Sequence, residues 1–199
     1  AQFDFNLYDA LVAAFTAESA NLPALIAVAN QSLDTYGAHH LMGTITGNQD
    51  RPRFASLAEG TVRWEEDHKL AGWTRQINRD GLRGHHAMRM LTAFNASMPG
   101  VPCIYQGDEY ADVGGNDPDN RRMMRFDALE AEERDTRTHV SEWNALRRSR
   151  MSLLYGQTDI QALPTGLLRI ERQYLDETTT VYINPTPRAV AVEVMGSPL

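Results

Sequence analysis

The run Gly47-Asn48-Gln49-Asp50-Arg51-Pro52-Arg53-Phe54 places a carboxylate beside amide side chains and two guanidinium groups. It follows an apolar, β-prone stretch, Leu41 to Ile45. A strand ending in such a polar cluster is how a β/α barrel presents chemistry at the C-terminal rim of its sheet. Asp50 is the carboxylate of the run, with Asn48, Gln49 and Arg53 beside it as hydrogen-bonding groups. A competing reading makes Asp50 the cap of a short helix starting near Pro52. Arg53 competes as a surface residue on that helix, and Arg51 reads as solvated. A second polar cluster, Gly114-Gly115-Asn116-Asp117-Pro118-Asp119-Asn120-Arg121-Arg122, holds Asp117 and Arg121 four residues apart across a proline turn. That spacing suits an intraloop ion pair, which would contribute about 0–1 kcal/mol if exposed.

The elements that must position these clusters alternate in type. Phe3, Phe5 and Leu7 alternate with Asp4 and Asn6, the period of a short strand. Tyr8 to Phe15 reads as helix. A second helix begins near Asn21, with Pro23 in its first turn, and runs to about Leu33. Leu41 to Thr46 returns to strand, which completes a βαβ spacing. A charged, irregular region follows from Ala55 to Arg83, with one helix expected around Val62 to Leu70. Gly84 to Ser97 reads as helix, stopped by Pro99-Gly100, and Val101 to Tyr105 as a compact strand. Gln106 to Arg122 is loop, and Thr136 to Arg150 a last helix. From Met151 the pattern changes to short β-type runs at Leu167 to Glu171, Thr179 to Ile183 and Ala189 to Val194, the last two joined through Pro-Thr-Pro. The expected class is α/β, with residues 1–150 one unit and a small antiparallel β domain over 151–199.

Composition narrows the partners. The chain of 199 residues carries 26 acidic against 19 basic side chains, a net charge of −7, which argues against nucleic acid. No apolar run approaches the roughly 20 residues of a membrane span. The lone Cys103 sits in an apolar run and reads as a buried, inert thiol. Asp112, Asp117 and Asp119 lack the spacing of a calcium loop, so no metal is expected, and no organic cofactor. Asp108-Glu109 are adjacent at a strand end and should diverge. The pairs His39-His40 and His85-His86 read as surface or cap residues. Trp64 and Trp73 read as core or rim packing, with a stacking platform for a ligand as the competitor.

Together these motifs resemble the alpha-amylase superfamily of glycoside hydrolases, and within it cyclomaltodextrinase and neopullulanase relatives. Gly47 to Phe54 resembles the Asn-His-Asp-x-x-Arg motif at the end of the seventh barrel strand. Met98 to Glu109 resembles the eighth strand, Gly114 to Arg122 the loop after it, and Phe3 to Leu7 the sixth strand. The resemblance implies the C-terminal portion, about strands 6 to 8, of a (β/α)8 TIM barrel. It makes Asp50 the transition-state aspartate, Arg53 the motif arginine, and Asp117 and Arg121 the pair that holds a glucose unit away from the cleavage point. Gln49 stands where the family usually has histidine, and its amide can still donate to a sugar hydroxyl. The implied substrate is an α-glucan or cyclodextrin, cleaved at α-1,4 bonds with retention. Such chemistry needs two carboxyl groups roughly 5 Å apart, a nucleophile and an acid. The family carries both on earlier strands, so the isolated chain is expected to be inactive. Glucosyl transfer or isomerisation, and a non-catalytic sugar-binding or interaction fragment, are the alternatives. An open barrel edge would favour a homodimer or pairing with the missing half of the barrel.

Overall fold

The structure, a computed structural model, describes residues 2–192. Seven α-helices, two single-turn 3-10 helices and five short strands are found among them. The chain opens on α1 (Phe5–Phe15), not on the strand expected from Phe3 to Leu7. Asp4 is the reason. Its Oδ1 accepts from the Leu7 backbone N–H at 3.0 Å and its Oδ2 from the Ser32 hydroxyl at 2.5 Å. A buried cap of this kind stabilises a helix start by about 1 kcal/mol, and it overrides a three-residue alternation. Only Phe3 keeps strand character, as an isolated parallel bridge to Gly43.

α2 (Leu22–Tyr36) begins where Asn21 and Pro23 suggest, with the Asn21 side chain accepting from Ala24 N–H. β1 (Gly43–Ile45) pairs in parallel with β2 (Val101–Cys103), Thr44 opposite Pro102. Between them lie α3 (Phe54–Glu59), α4 (His68–Thr74) and α5 (Arg83–Ser97). The single helix expected over Val62 to Leu70 is replaced by α3 and α4. α3 is buried from Phe54 to Ala58, so it has no polar face to betray it. α4 starts later because Asp67 caps it, accepting from the N–H groups of Lys69 and Leu70.

α6 (Ala131–Ser149) begins five residues before the expected Thr136, held by a capping box between Glu130 and Glu133. After α7 (Met151–Tyr155) come β3 (Gln157–Ala162), β4 (Leu168–Tyr174) and β5 (Glu177–Ile183), an antiparallel sheet in the order β3-β4-β5. β3 was not expected. Of its residues only Ile160 is buried, so no alternation marks it. The expected run from Ala189 to Val194 forms no strand over residues 189–192, and its remainder lies outside the described residues.

One hydrophobic core serves helices and sheet alike. Leu11, Leu25, Phe54, Met88, Leu91 and Phe94 join Leu168, Ile170, Val181 and Ile183 in a single cluster. Each such side chain, fully buried, contributes about 1.5–3 kcal/mol. Two cations also lie inside. Arg147 donates to the carbonyls of Ala96, Met98 and Gly100, and Arg172, fully buried on β4, donates to Ser97 and Gly156. Neither forms a salt bridge among the described residues, and burial pushes both guanidinium pKa values down. They serve instead as caps for the carbonyls at the end of α5.

His85 corrects the reading of the histidine pairs as surface or cap residues. It is buried between α5 and α6, its Nδ1 2.9 Å from the Thr136 hydroxyl. Cys103 is only partly buried, beside Phe3, Leu41 and Val101, and burial pushes its thiol pKa up.

Candidate functional site

Two loops, each following a strand of the parallel pair, meet to build the site. Thr46 joins them first. Its backbone N–H donates to Cys103 O at 3.0 Å, and its hydroxyl donates to Asp108 Oδ2 at 2.7 Å while accepting from Tyr105 N–H. Beneath the loop after β1 lies Arg53. Its Nη1 donates to Asp108 Oδ1 at 2.9 Å and to Gln106 O at 2.6 Å, and the guanidinium stacks 4.6 Å from the Tyr105 ring centre. Both side chains of this pair are about 1% exposed. Burial pushes the Asp108 carboxyl pKa up, against the pull of Arg53 and Thr46 downward. Tyr8, buried alongside, has its hydroxyl pushed up by burial and by the Asp108 charge.

Arg53 therefore departs from its expected role. A side chain this buried cannot touch a ligand on the loop surface, and it braces the loop from below. Arg51 departs as well, since its Nη2 pairs with Asp9 at 3.1 Å and its guanidinium lies over Phe5, tying the loop to α1.

The upper side of the loop carries the remaining candidates. Asn48 is buried, and its Oδ1 accepts from the Asp50 N–H at 2.9 Å. The Asp50 side chain is 68% exposed. Gln49 Nε2 donates to its Oδ2 at 3.0 Å, and Arg121 Nη2 stands 3.9 Å from its Oδ1. Asp50 caps no helix, because α3 starts at Phe54 with no side-chain cap at all. The ion pair between Arg121 Nε and Asp117 Oδ1 forms at 2.6 Å, and Lys69 Nζ reaches Asp117 Oδ2 at 3.6 Å. Gln49, Asp50, Asp117 and Arg121 are thus brought together, and Lys69 with them, whereas Arg53 lies below and Asn48, also buried, departs like it from a ligand-contacting role.

Sequence reasoning missed the residues that hold this surface in place. Asn120 is fully buried, and its Nδ2 donates to the carbonyls of Asn48, Gln49 and Arg51. Asn116 Nδ2 donates to Asp50 O at 3.1 Å. The signal lay in two asparagines of a loop already singled out, but their partners are about 70 positions away along the chain.

Chemically the cluster is two carboxylates balanced by two cations, with an amide between them. It offers many hydrogen bonds and little net field, which suits an uncharged, hydroxyl-rich ligand better than an ion. Among the described residues no group of three or more His, Cys, Asp or Glu side chains is gathered to hold a metal ion. No helix is long and apolar enough to cross a membrane among the described residues.

No family model matches the chain. A cyclomaltodextrinase from Geobacillus thermopakistaniensis (strain MAS1) is 29% identical over 143 residues, 63% of this chain and 24% of that protein. A cyclomaltodextrin glucanotransferase from Niallia circulans is 24% identical over 181 residues, 91% of this chain and 21% of that protein. The chain thus spans about a quarter or less of the length of these relatives. Among solved structures, the alpha-amylase from Geobacillus thermoleovorans complexed with acarbose superposes with a TM-score of 0.72 at 29% identity, over 92% of this chain and 36% of that one. An Anoxybacillus alpha-amylase gives a TM-score of 0.72 at 28% identity, with the same coverage of 92% and 36%. Sequence relatives and structural neighbours converge: the chain is similar to cyclomaltodextrinases, cyclomaltodextrin glucanotransferases and alpha-amylases.

Proposed function

We propose that this chain carries the Asp50-bearing part of the active site of a retaining glycoside hydrolase of the alpha-amylase type, one that acts on α-1,4 bonds of starch-derived oligosaccharides or cyclodextrins. In this reading residues 1–150 are about strands 6 to 8 of a (β/α)8 barrel, and 151–199 the C-terminal antiparallel domain. The parallel order Phe3, β1, β2, with the polar loops following β1 and β2, supports it. The observation that carries the functional reading is Asp50 itself, exposed and held by Gln49, with the Asp117–Arg121 pair beside it.

Asp50 accepts hydrogen bonds from sugar hydroxyls, and these strengthen as positive charge develops on the flattening ring. Gln49 keeps the carboxylate turned outward and donates to a hydroxyl where the family's usual histidine would. Arg121 and Asp117 open their exposed ion pair to grip a neighbouring glucose unit, at small expense because such a pair contributes about 0–1 kcal/mol. Asn48, buried, sets the loop geometry through the Asp50 N–H. The nucleophile and general acid belong to parts of the family's barrel outside this chain, so the chain binds sugar without cutting it.

Reducing-sugar release from cyclodextrin, pullulan and starch tests this directly. None is expected from the 199-residue polypeptide, while calorimetry should detect maltooligosaccharide binding that Asp50→Asn weakens. Turnover by the isolated chain would refute the assignment of the missing groups. Absence of any sugar binding would refute the site. A second reading, that the chain pairs with another polypeptide, is favoured by the apolar side chains bared around the parallel strands, among them Phe3, Leu41, Val101 and Ile104. Its partner would be a second copy or the rest of the barrel.

A further inference from the structure

Trp73 is a large ring left 68% exposed, on a helix that is otherwise held with care. α4 is fixed at both ends. Asp67 caps its start, and Arg75 at its end donates two hydrogen bonds to Glu66 and one to Thr61 O. Its inner side lies against the loop of the candidate site. His68 O accepts from Asn116 N–H at 2.9 Å, and Gly72 is packed so closely that a Cβ there would come within 2.7 Å of Asp119 Cβ. The helix is a rigid wall of the site.

Lys69 on this wall reaches Asp117. Trp73 stands one turn further along the same side, and side chains four apart on a helix have Cβ atoms about 5–6 Å apart. Asp50, Arg121, Asp117 and Lys69 form a row, and helix spacing places Trp73 next to its Lys69 end. Trp64, the other exposed tryptophan of this region, is not part of it. Its ring leans toward His68 at 6.2 Å, and it lines a separate hollow with Val12, Leu57 and Arg63.

We propose that Trp73, with Lys69, forms an outer subsite that takes a further pyranose ring of an α-glucan chain. An aromatic face packs on the C–H face of a sugar ring while polar groups at its rim bind the hydroxyls, and this row supplies both. A ring fixed on a braced helix loses little freedom on binding. The inference rests on the proposed function, because it extends the same site outward. It makes length of the sugar chain the property that Trp73 reads.

The test is calorimetric titration of the 199-residue chain with maltose and with maltohexaose. The hexaose should bind more tightly than maltose. Trp73→Ala should weaken the hexaose by roughly 2- to 10-fold and leave maltose unchanged. Trp73→Phe should recover most of the loss, Trp73→Leu should not, and Trp64→Ala should match the parent. Unaltered circular dichroism checks that the variants are folded. Hexaose affinity that survives Trp73→Ala, while Asp117→Asn weakens both sugars, overturns the subsite and leaves the proposed function standing. Equal weakening of both sugars also overturns it, because Trp73 would then lie in the inner site. A chain that binds neither sugar overturns both readings.

Discussion

Acid should loosen this protein through one buried imidazole. His85 is 1% exposed, and its Nδ1 contacts the Thr136 hydroxyl between α5 and α6. Burial, with the charges of Arg79 and Arg89 nearby, pushes its pKa from 6.5 down to about 4. In the unfolded chain the ring takes its proton near 6.5. Between those values the unfolded state binds more protons, so stability falls as pH falls. At pH 5 an unfolded histidine is almost fully protonated and His85 in the fold hardly at all. The difference amounts to about 1.5 pH units of linkage, or about 2 kcal/mol. For a domain of this size that corresponds to a fall of about 4–8 °C in melting temperature between pH 7 and pH 5. His40 and His139 are shifted downward by burial too, and add in the same direction. The assay is therefore a comparison of the parent and His85→Gln by urea unfolding at both pH values. Glutamine can keep a bond to Thr136 and does not titrate. Its pH-dependent loss should be smaller by about 2 kcal/mol, whatever the substitution costs at pH 7. Equal losses in the two proteins would refute the reasoning.

Other substitutions probe the loops and the interior. Asp108→Asn leaves the buried Arg53 only the more distant Asp112 carboxylate, at 4.0 Å, and should cost about 3–5 kcal/mol in urea unfolding, whereas replacing Arg53 and Asp108 together by apolar residues should cost much less. Asn120→Ala releases three carbonyls of the Asp50 loop and should cost about 2–3 kcal/mol, with hydrogen exchange accelerated at residues 48–51 and unchanged in β3–β5. Asp50→Asn touches an exposed, non-capping side chain, so its melting temperature should correspond to a change within about 0.5 kcal/mol. Arg172→Met exchanges a desolvated charge for an apolar chain of similar length and should destabilise less than Arg172→Ala, which opens a cavity at about 3–5 kcal/mol.

What could be read in advance was what local chemistry writes into the chain. Asn21 with Pro23, and Pro99-Gly100, mark helix ends, and α2 and α5 appear close to where those residues put them. The Asp50 and Asp117 loops stood out as polar clusters and do meet in space. Misreadings arose where a distant partner decides the outcome. Phe3 to Leu7 alternates like a strand, but Ser32 and Leu7 hold Asp4 as a helix cap. Arg53 was a ligand-binding candidate as the arginine of the motif, and its burial is compensated by Asp108 and Asp112, 55 and 59 positions on. β3 was invisible since its one inward residue, Ile160, gives no period. Trp73 read as core or rim packing, and the structure leaves it 68% exposed, an outcome set by tertiary placement alone.

The two arginines under the end of α5 carry a consequence for how the chain comes into being. Their acceptors are carbonyls at residues 96 to 100 and 153 to 156, while the donors come from α6 and from the middle strand of the sheet. Until residue 172 has left the ribosome, the Ser97 carbonyl has only water for a partner and the last turn of α5 is held by Arg147 alone. The helix that underlies both polar loops is thus finished by a segment made some 75 residues later. Helices and sheet should consequently melt in a single transition, and a chain cut short at residue 150 should leave the Ser97 carbonyl to water.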